Sequence, residues 1–253
     1  MLVENETILI IDYGSQYTQL IARKIREQNV YCIVHPYNKI NYNFLNNKNL
    51  SGIILSGGPN SVKDKKSPKL DKKILLLKIP ILGICYGLQL LCKEFNGKIG
   101  QSSSREYGHS LISHKNKSLL FRGVKKNSQV WMSHGDHISR EPKEFVVTSF
   151  SNKNVISSIE NKKKMIFGLQ FHPEVYHSLD GKQILSNFLF NICNISSKFK
   201  LEDFLINKIN ELKNTLKNKK VICGLSGGVD STVTSFLLHK AIKNNLFCIF
   251  VDH

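Results

Sequence analysis

With 253 residues, 41% of them apolar and 22% charged, the chain has the composition of a soluble globular protein and the length for one ordinary domain plus a smaller piece. No stretch reads as a membrane span, since even "KKILLLKIPILGICYGLQLL" is broken by Lys78, Pro80 and Gly83, and "MLVENETILIID" is acidic where a secretory leader is basic. A cytoplasmic address is expected; the net charge of +17 invites a nucleic-acid surface, but the densest basic runs, 63–73 and 161–165, carry no aromatic residue to stack on bases, so no specific nucleic-acid partner is expected.

In chain order, "TILIIDYG" (7–14) is a short apolar run ending in Gly, and the amphipathic "QYTQLIARKIREQ" (16–28) follows it. "VYCIV" (30–34), "SGIILSGGP" (51–59) and "IPILGICYG" (79–87) predict further buried strands, and "LQLLCKEF" (88–95) a helix. This alternation predicts an α/β fold: a mostly parallel sheet with helices on both faces. From about residue 99 the texture changes to short strand-like pieces, "SLISH", "QVWMSHGDHI", "FVVTSFS" and "NVISSIE". "MIFGLQFHPE" (165–174) then predicts a central strand and "KQILSNFLFNIC" (182–193) a closing helix. "LEDFLINKINELKNTLK" (201–217) reads as an amphipathic connector, and a second βαβ unit runs from Lys220 into "LFCIFVDH" (246–253). Six cysteines lack C-x-x-C spacing; Cys32, Cys193, Cys223 and Cys248 lie in apolar runs and are expected as small buried hydrophobes, without a disulfide framework.

Cys85 differs. "GICYG" (83–87) is G-x-C-x-G at a strand-to-helix junction, the thiol form of a nucleophile elbow, where flanking side chains would collide. A helix N-terminus there favours thiolate. A buried structural Cys is the rival reading of this motif alone. "QFHPEV" (170–175) supplies His172 and Glu174, which at a strand end would point to one side, a base and the carboxylate that orients it. "SGGP" (56–59) ends another strand, and its amides with the N–H of Tyr86 would suit an oxyanion hole. "WMSHGDH" (131–137) reads as a polar loop after a strand; its H-x-x-H pair, His134 and His137, has no carboxylate or Cys to complete a metal site, so no metal is expected.

Together "DYGSQYTQLIARKIRE", "ILSGGP", "GICYGLQ", "WMSHGDH" and "GLQFHPEV" resemble the class I (triad) glutamine amidotransferase domain. Followed by "GLSGGVDST" (224–232), and with "SREYG" (104–108), the order resembles the glutamine-hydrolysing GMP synthetase family. The resemblance implies that Cys85 attacks the glutamine amide, His172 shuttles the proton and Glu174 orients His172. It implies Gly58 and Tyr86 as oxyanion donors and Gln89, Ser133, Gly135 and Asp136 as glutamine contacts. "GLSGGVDST" is similar to the loop of N-type ATP pyrophosphatases, with Ser226, Gly227, Gly228, Val229, Asp230, Ser231 and Thr232 taking ATP. An esterase reading of its G-x-S-x-G fails because only Asp230, Asp252, His239 and His253 follow, with no second half of a sheet to position them, and a Walker reading fails for want of a Lys-Ser/Thr pair after the glycines. The implied substrates are glutamine, ATP and XMP, with Mg2+ for the full enzyme and no metal in the amidotransferase domain.

The implied organisation is an amidotransferase domain at 1–197, a helical connector at 198–219 and the start of an ATP pyrophosphatase domain at 220–253. Where the family continues past "IFVD" with Asn-Gly, this sequence has His253, so the synthetase half reads as incomplete, and the family's homodimer region as absent. The alternatives are a free-standing glutaminase subunit of another amidotransferase, a non-catalytic remnant that kept the fold, and, on charge alone, an RNA-binding protein.

Overall fold

Alternation along β1 (Thr7–Asp12) sends Ile8 and Ile10 to one apolar core and Leu9 and Ile11 to another, all four fully buried. A strand buried on both faces is what a central parallel strand requires. The computed structural model describes residues 6–40, 45, 49–114, 118–196 and 199–250 and divides into two units, 1–198 and 199–253.

In the first unit β1 is flanked by β2 (Tyr31–Pro36) and β3 (Leu50–Leu55), and β4 (Ile81–Ile84) lies beyond β3, all parallel. Four longer-range strands follow: β5 (Lys98–His114), β6 (Asn127–Arg140), β7 (Val146–Ser151) and β8 (Ile156–Asn161). β9 (Ile166–Leu169) returns to pair parallel with β4 and antiparallel with β8, giving a nine-stranded sheet ordered β2-β1-β3-β4-β9-β8-β6-β5-β7. Because β7 also pairs with β8, the strands β8, β6, β5 and β7 close a circuit of antiparallel pairs.

Helices cover both faces. Ile21, Ala22 and Ile25 of α1 (Thr18–Arg26) join the core of Ile8 and Ile10. Ile74 of α2 (Lys73–Leu76) and Leu88, Leu90 and Leu91 of α3 (Tyr86–Glu94) join the core of Leu9 and Ile11. The closing helix is shorter than expected: α4 (Gly181–Ser186) passes into a π-helical turn, Asn187–Ile192. Asn187 is buried there and donates to the carbonyls of Leu120 (2.8 Å) and Arg122 (2.7 Å).

Three expectations need correction. The pieces after residue 99 are not short: β5 has 17 residues and β6 has 14. "WMSHGDH" is not a loop but the middle of β6, where Met132, His134, Asp136 and Ile138 all take the buried side. The polar His and Asp sit in core-facing positions and so hide the strand's alternation. "MIFGLQFHPE" stops being a strand at Leu169, and residues 170–174 form a loop.

The second unit has α5 (Leu201–Leu216), β10 (Val221–Leu225), α6 (Val229–Ile242), a short 3-10 turn and β11 (Leu246–Phe250), with β10 and β11 parallel. Phe204, Leu205, Ile209, Leu212 and Leu216 form the less exposed stripe of α5, as the spacing predicted. Cys223 is only half-buried and Cys248 exposed, against expectation. Asp252 and His253 lie outside the described residues. Among the described residues no helix is long and apolar enough to cross a membrane.

Phe167 of β9 is fully buried where the parallel and antiparallel halves meet. Replacing it with Ala is expected to lower the unfolding free energy of the first unit by about 3–5 kcal/mol, read as a reduced urea midpoint.

Candidate active site

β4 ends at Ile84 and α3 begins at Tyr86, so Cys85 makes the whole turn. Its backbone adopts φ 51° and ψ −103°, a conformation that L-residues avoid and that nucleophile elbows use. Two backbone bonds hold it: the Cys85 N–H donates to Leu169 O (2.7 Å), and the Gly87 N–H to Ser56 O (3.1 Å). A Cβ on Gly87 would lie 2.4 Å from Leu55 O, and one on Gly83 2.6 Å from the Gly87 backbone. The turn therefore closes only with glycine on both sides of it, as the motif predicted.

His172 and Glu174 meet Cys85 from the loop after β9. Strand alternation is not what aligns them. The loop is pinned instead, with the His172 N–H donating to Trp131 O (3.0 Å) and Ser178 Oγ donating to His172 O (2.6 Å). His172 Nδ1 lies 2.7 Å from Glu174 Oε1; a carboxylate accepts, so Nδ1 carries the proton and Nε2 is left for other work. Both residues are buried, and Cys85 and His172 line the same cleft, near enough for the thiol to bear on the imidazole. Burial by itself pushes His172 down, but the Glu174 charge and the Cys85 contact outweigh it and hold the imidazole well above its ordinary value. The Tyr17 ring meets the imidazole edge-on at 5.0 Å.

These groups open into a cleft of about 880 Å³ whose wall includes Gly58, Tyr86, Gln89 and Ser133–Asp136, so the predicted glutamine and oxyanion residues share one cavity with Cys85 and His172. Tyr86 is the first residue of α3, and its N–H has no acceptor within the helix. Gln89 Nε2 donates to Asp136 O (3.0 Å) and reaches Gln170 Oε1 (3.4 Å). Gln170 Nε2 in turn donates to Cys85 Sγ (3.7 Å), and Sγ approaches Ser133 O (3.7 Å). Asp136 accepts from Ser61 Oγ, with Lys63 Nζ 3.8 Å away.

Gln170, Tyr17, Ser61 and Gly57 were missed by the sequence reading. Gly57 packs so closely that a Cβ would stand 3.1 Å from His172 Cε1. Gln170 stood in the quoted "QFHPEV", but its burial and its contact with Cys85 come from tertiary pairing that no local pattern announces. A carboxylate does reach the H-x-x-H pair: Glu106 Oε2 lies 3.4 Å from His134 Nε2. Even so, among the described residues no group of three or more His, Cys, Asp and Glu is placed to hold a metal ion.

In the second unit residues 226–232 join β10 to α6. Gly227 takes φ 76°, and Gly228 precedes the first turn of a 14-residue helix. Ser231 Oγ (3.1 Å) and Thr232 Oγ1 (2.9 Å) donate to Gly228 O, and Ser226 N reaches Ser231 Oγ (3.3 Å). Val229 and Asp230 open the helix, with Asp230 in its first turn. All seven residues are solvent-accessible, and such a turn presents N–H groups and partial positive charge.

A family model for class-I glutamine amidotransferases matches residues 9–192, and one for NAD synthase matches 199–252. GMP synthase [glutamine-hydrolyzing] of Clostridium kluyveri is 46% identical over 251 residues, 99% of this chain and 49% of that protein. The protein of the same name from Acetivibrio thermocellus matches equally, and the chain thus spans about half the length of the curated relatives it matches. Among solved structures, a putative GMP synthase subunit from Thermoplasma acidophilum is 29% identical with a TM-score of 0.64, over 76% of this chain and 96% of that one. A glutamine amidotransferase from Thermotoga maritima shares the fold at 20% identity, with a TM-score of 0.58 over 96% of this chain and 99% of that one.

The raised imidazole has a sign that can be checked. The folded state holds the His172 proton more tightly than the unfolded chain, where the value is about 6.5. The stabilisation is therefore complete below about pH 6.5 and is lost as pH rises through the folded-state value. NMR titration is expected to place His172 above its ordinary value in the parent and lower in Glu174→Gln. The stability difference between the two proteins should shrink as the pH passes the parent's titration.

Proposed function

The chain belongs to the class-I glutamine amidotransferase family, and from that premise we propose that it hydrolyses glutamine and supplies the ammonia for ATP-dependent amination of XMP to GMP. The observation that carries the first half is the strained Cys85 sharing one cleft with an imidazole that a buried carboxylate holds at 2.7 Å. Cys85 Sγ attacks the carbonyl carbon of the glutamine side-chain amide, and His172 Nε2 takes the thiol proton. The charge that develops on the oxygen falls to the N–H groups of Gly58 and Tyr86. His172 then returns the proton to the departing ammonia, and water, deprotonated by the same imidazole, cleaves the thioester to release glutamate and free Cys85. Gln89, Ser133, Gly135 and Asp136 hold the substrate.

The second half rests on the 226–232 loop. In this reading residues 1–197 are the amidotransferase domain, 198–219 a connector and 220–253 part of an ATP pyrophosphatase domain. Ser226, Gly227, Gly228, Val229, Asp230, Ser231 and Thr232 form the ATP-binding turn, in which backbone amides and the hydroxyls of Ser226, Ser231 and Thr232 hold the phosphates. Mg2+ belongs to the resemblance; among the described residues no group of three or more His, Cys, Asp and Glu is placed to hold a metal ion. The cytoplasm is the expected location. A free-standing glutaminase subunit is less well supported, since 199–252 has its own family match.

Mass spectrometry after exposure to an electrophilic glutamine analogue tests this. Labelling is expected at Cys85, suppressed by excess glutamine and absent from Cys85→Ala. His172→Ala is expected to slow it by about 10²–10⁴-fold. A folded protein that stays unlabelled would move the non-catalytic reading ahead.

A further inference from the structure

The wall of the cleft formed by β6 has a feature that the reaction above does not use. β5 and β6 keep one register from Ile99↔Ile138 to Gln101↔Asp136 and another from Glu106↔His134 onward, with a smaller shift between Lys98 and Ile99. Between these pairs residues 102–105 of β5 stand opposite Gly135 alone, and Gly135 has no register partner on β5. A break of this kind frees backbone groups that a regular ladder would consume. The freed stretch is the part of β6 that lines the cleft beside Cys85.

Glu106 is the first residue past the break, and it is 3% exposed. Its Oε1 accepts from Ser151 Oγ of β7 (3.1 Å), and its Oε2 lies 3.4 Å from His134 Nε2 of β6. One carboxylate thus links three strands. Burial by itself pushes this carboxyl up, but the closeness of His134 and the Ser151 hydrogen bond outweigh it and hold it below the usual range. A carboxylate with so little solvent is costly to keep in a strand that valine would stabilise. Its contacts do not complete the usual hydrogen-bond count either, because Oε2 and both ring nitrogens of His134 lack a hydrogen bond among the described residues. Simple core stability accounts poorly for such a choice.

We propose that Glu106 is a positioning residue for glutamine: it clips β6 to β7 at the edge of the register break and so holds the Ser133–Asp136 wall, with Gly135 out of register at its middle, in the geometry that receives the substrate. The carbonyls of Ser133 and Asp136 already have set partners, Cys85 Sγ and Gln89 Nε2, so a shift of β6 would reach the substrate wall on both sides. Glu106 itself touches neither substrate nor nucleophile. The proposal rests on the glutamine reading given above.

The test uses the chain as it is, with two readouts: the rate of Cys85 alkylation by iodoacetamide, and the glutamine concentration that halves that rate. In Glu106→Ala the half-protecting concentration is expected to rise by about tenfold or more, the equivalent of losing one buried charged hydrogen bond. The alkylation rate without glutamine should stay within about threefold of the parent, which shows that the fold and the elbow are intact. Glu106→Gln, which can still accept from Ser151 and donate to His134, should restore protection. Unchanged protection in Glu106→Ala, a Glu106→Gln no better than it, or loss of alkylation in both variants would each overturn the proposal. A parent that glutamine does not protect would instead remove the glutamine reading, and this proposal with it.

Discussion

The unfavourable backbone of Cys85 is the constraint on which the site depends. A non-glycine residue in that conformation costs on the order of 1–3 kcal/mol and persists only where its surroundings over-determine it. Here they do so from three directions. β9 holds the N–H of Cys85, the end of β3 holds that of Gly87, and the glycines on either side let β4 and α3 close on Leu55. The nucleophile is thereby fixed by β3, β4 and β9, parallel strands almost wholly buried on both faces.

The rest of the cleft comes from elsewhere. The His172 loop is fastened to β6 through Trp131 O, and β6 also supplies Ser133 O and Asp136 O to the cleft's polar network. The nucleophile thus stands on the parallel strands while its base and the facing wall lean on the antiparallel circuit. β9 joins the two, pairing with β4 on one side and β8 on the other. A change in how the circuit closes would bear on the wall that faces the nucleophile and leave the elbow where it is.

Much of this was legible in the residues. Apolar runs with Gly at their ends located β1, β3 and β4, and the elbow motif named both Cys85 and the glycines it requires. His172 and Glu174 were also named, but for a reason that fails: strand periodicity does not extend past Leu169, and a pinned loop does the aligning. Sequence reasoning failed most at β5 and β6. Long strands there read as short pieces because His134 and Asp136 occupy core-facing positions that periodicity expects to be apolar. Where a polar residue takes a core position, the usual signal is lost at the place where function has displaced packing. The partners that Gln170 and Glu106 find across the sheet are set by tertiary pairing alone, and no local pattern announces them.

The loop of the second unit is organised on a different principle. Its hydroxyls are committed inwardly, Ser231 and Thr232 to Gly228 O and Ser226 to Ser231, and every one of these bonds is exposed. Exposed neutral hydrogen bonds contribute little, and a hydroxyl rotor can be redirected at small cost. The loop therefore keeps its shape through Gly227 and the first turn of α6 rather than through these bonds, and its donors remain free to turn toward an anion. Asp230 works against such a ligand, since a carboxylate in the first helical turn competes for the same partial positive charge. An anion bound there has to gain from several amides and hydroxyls at once. This favours an extended, multiply charged group such as a polyphosphate over a single small ion.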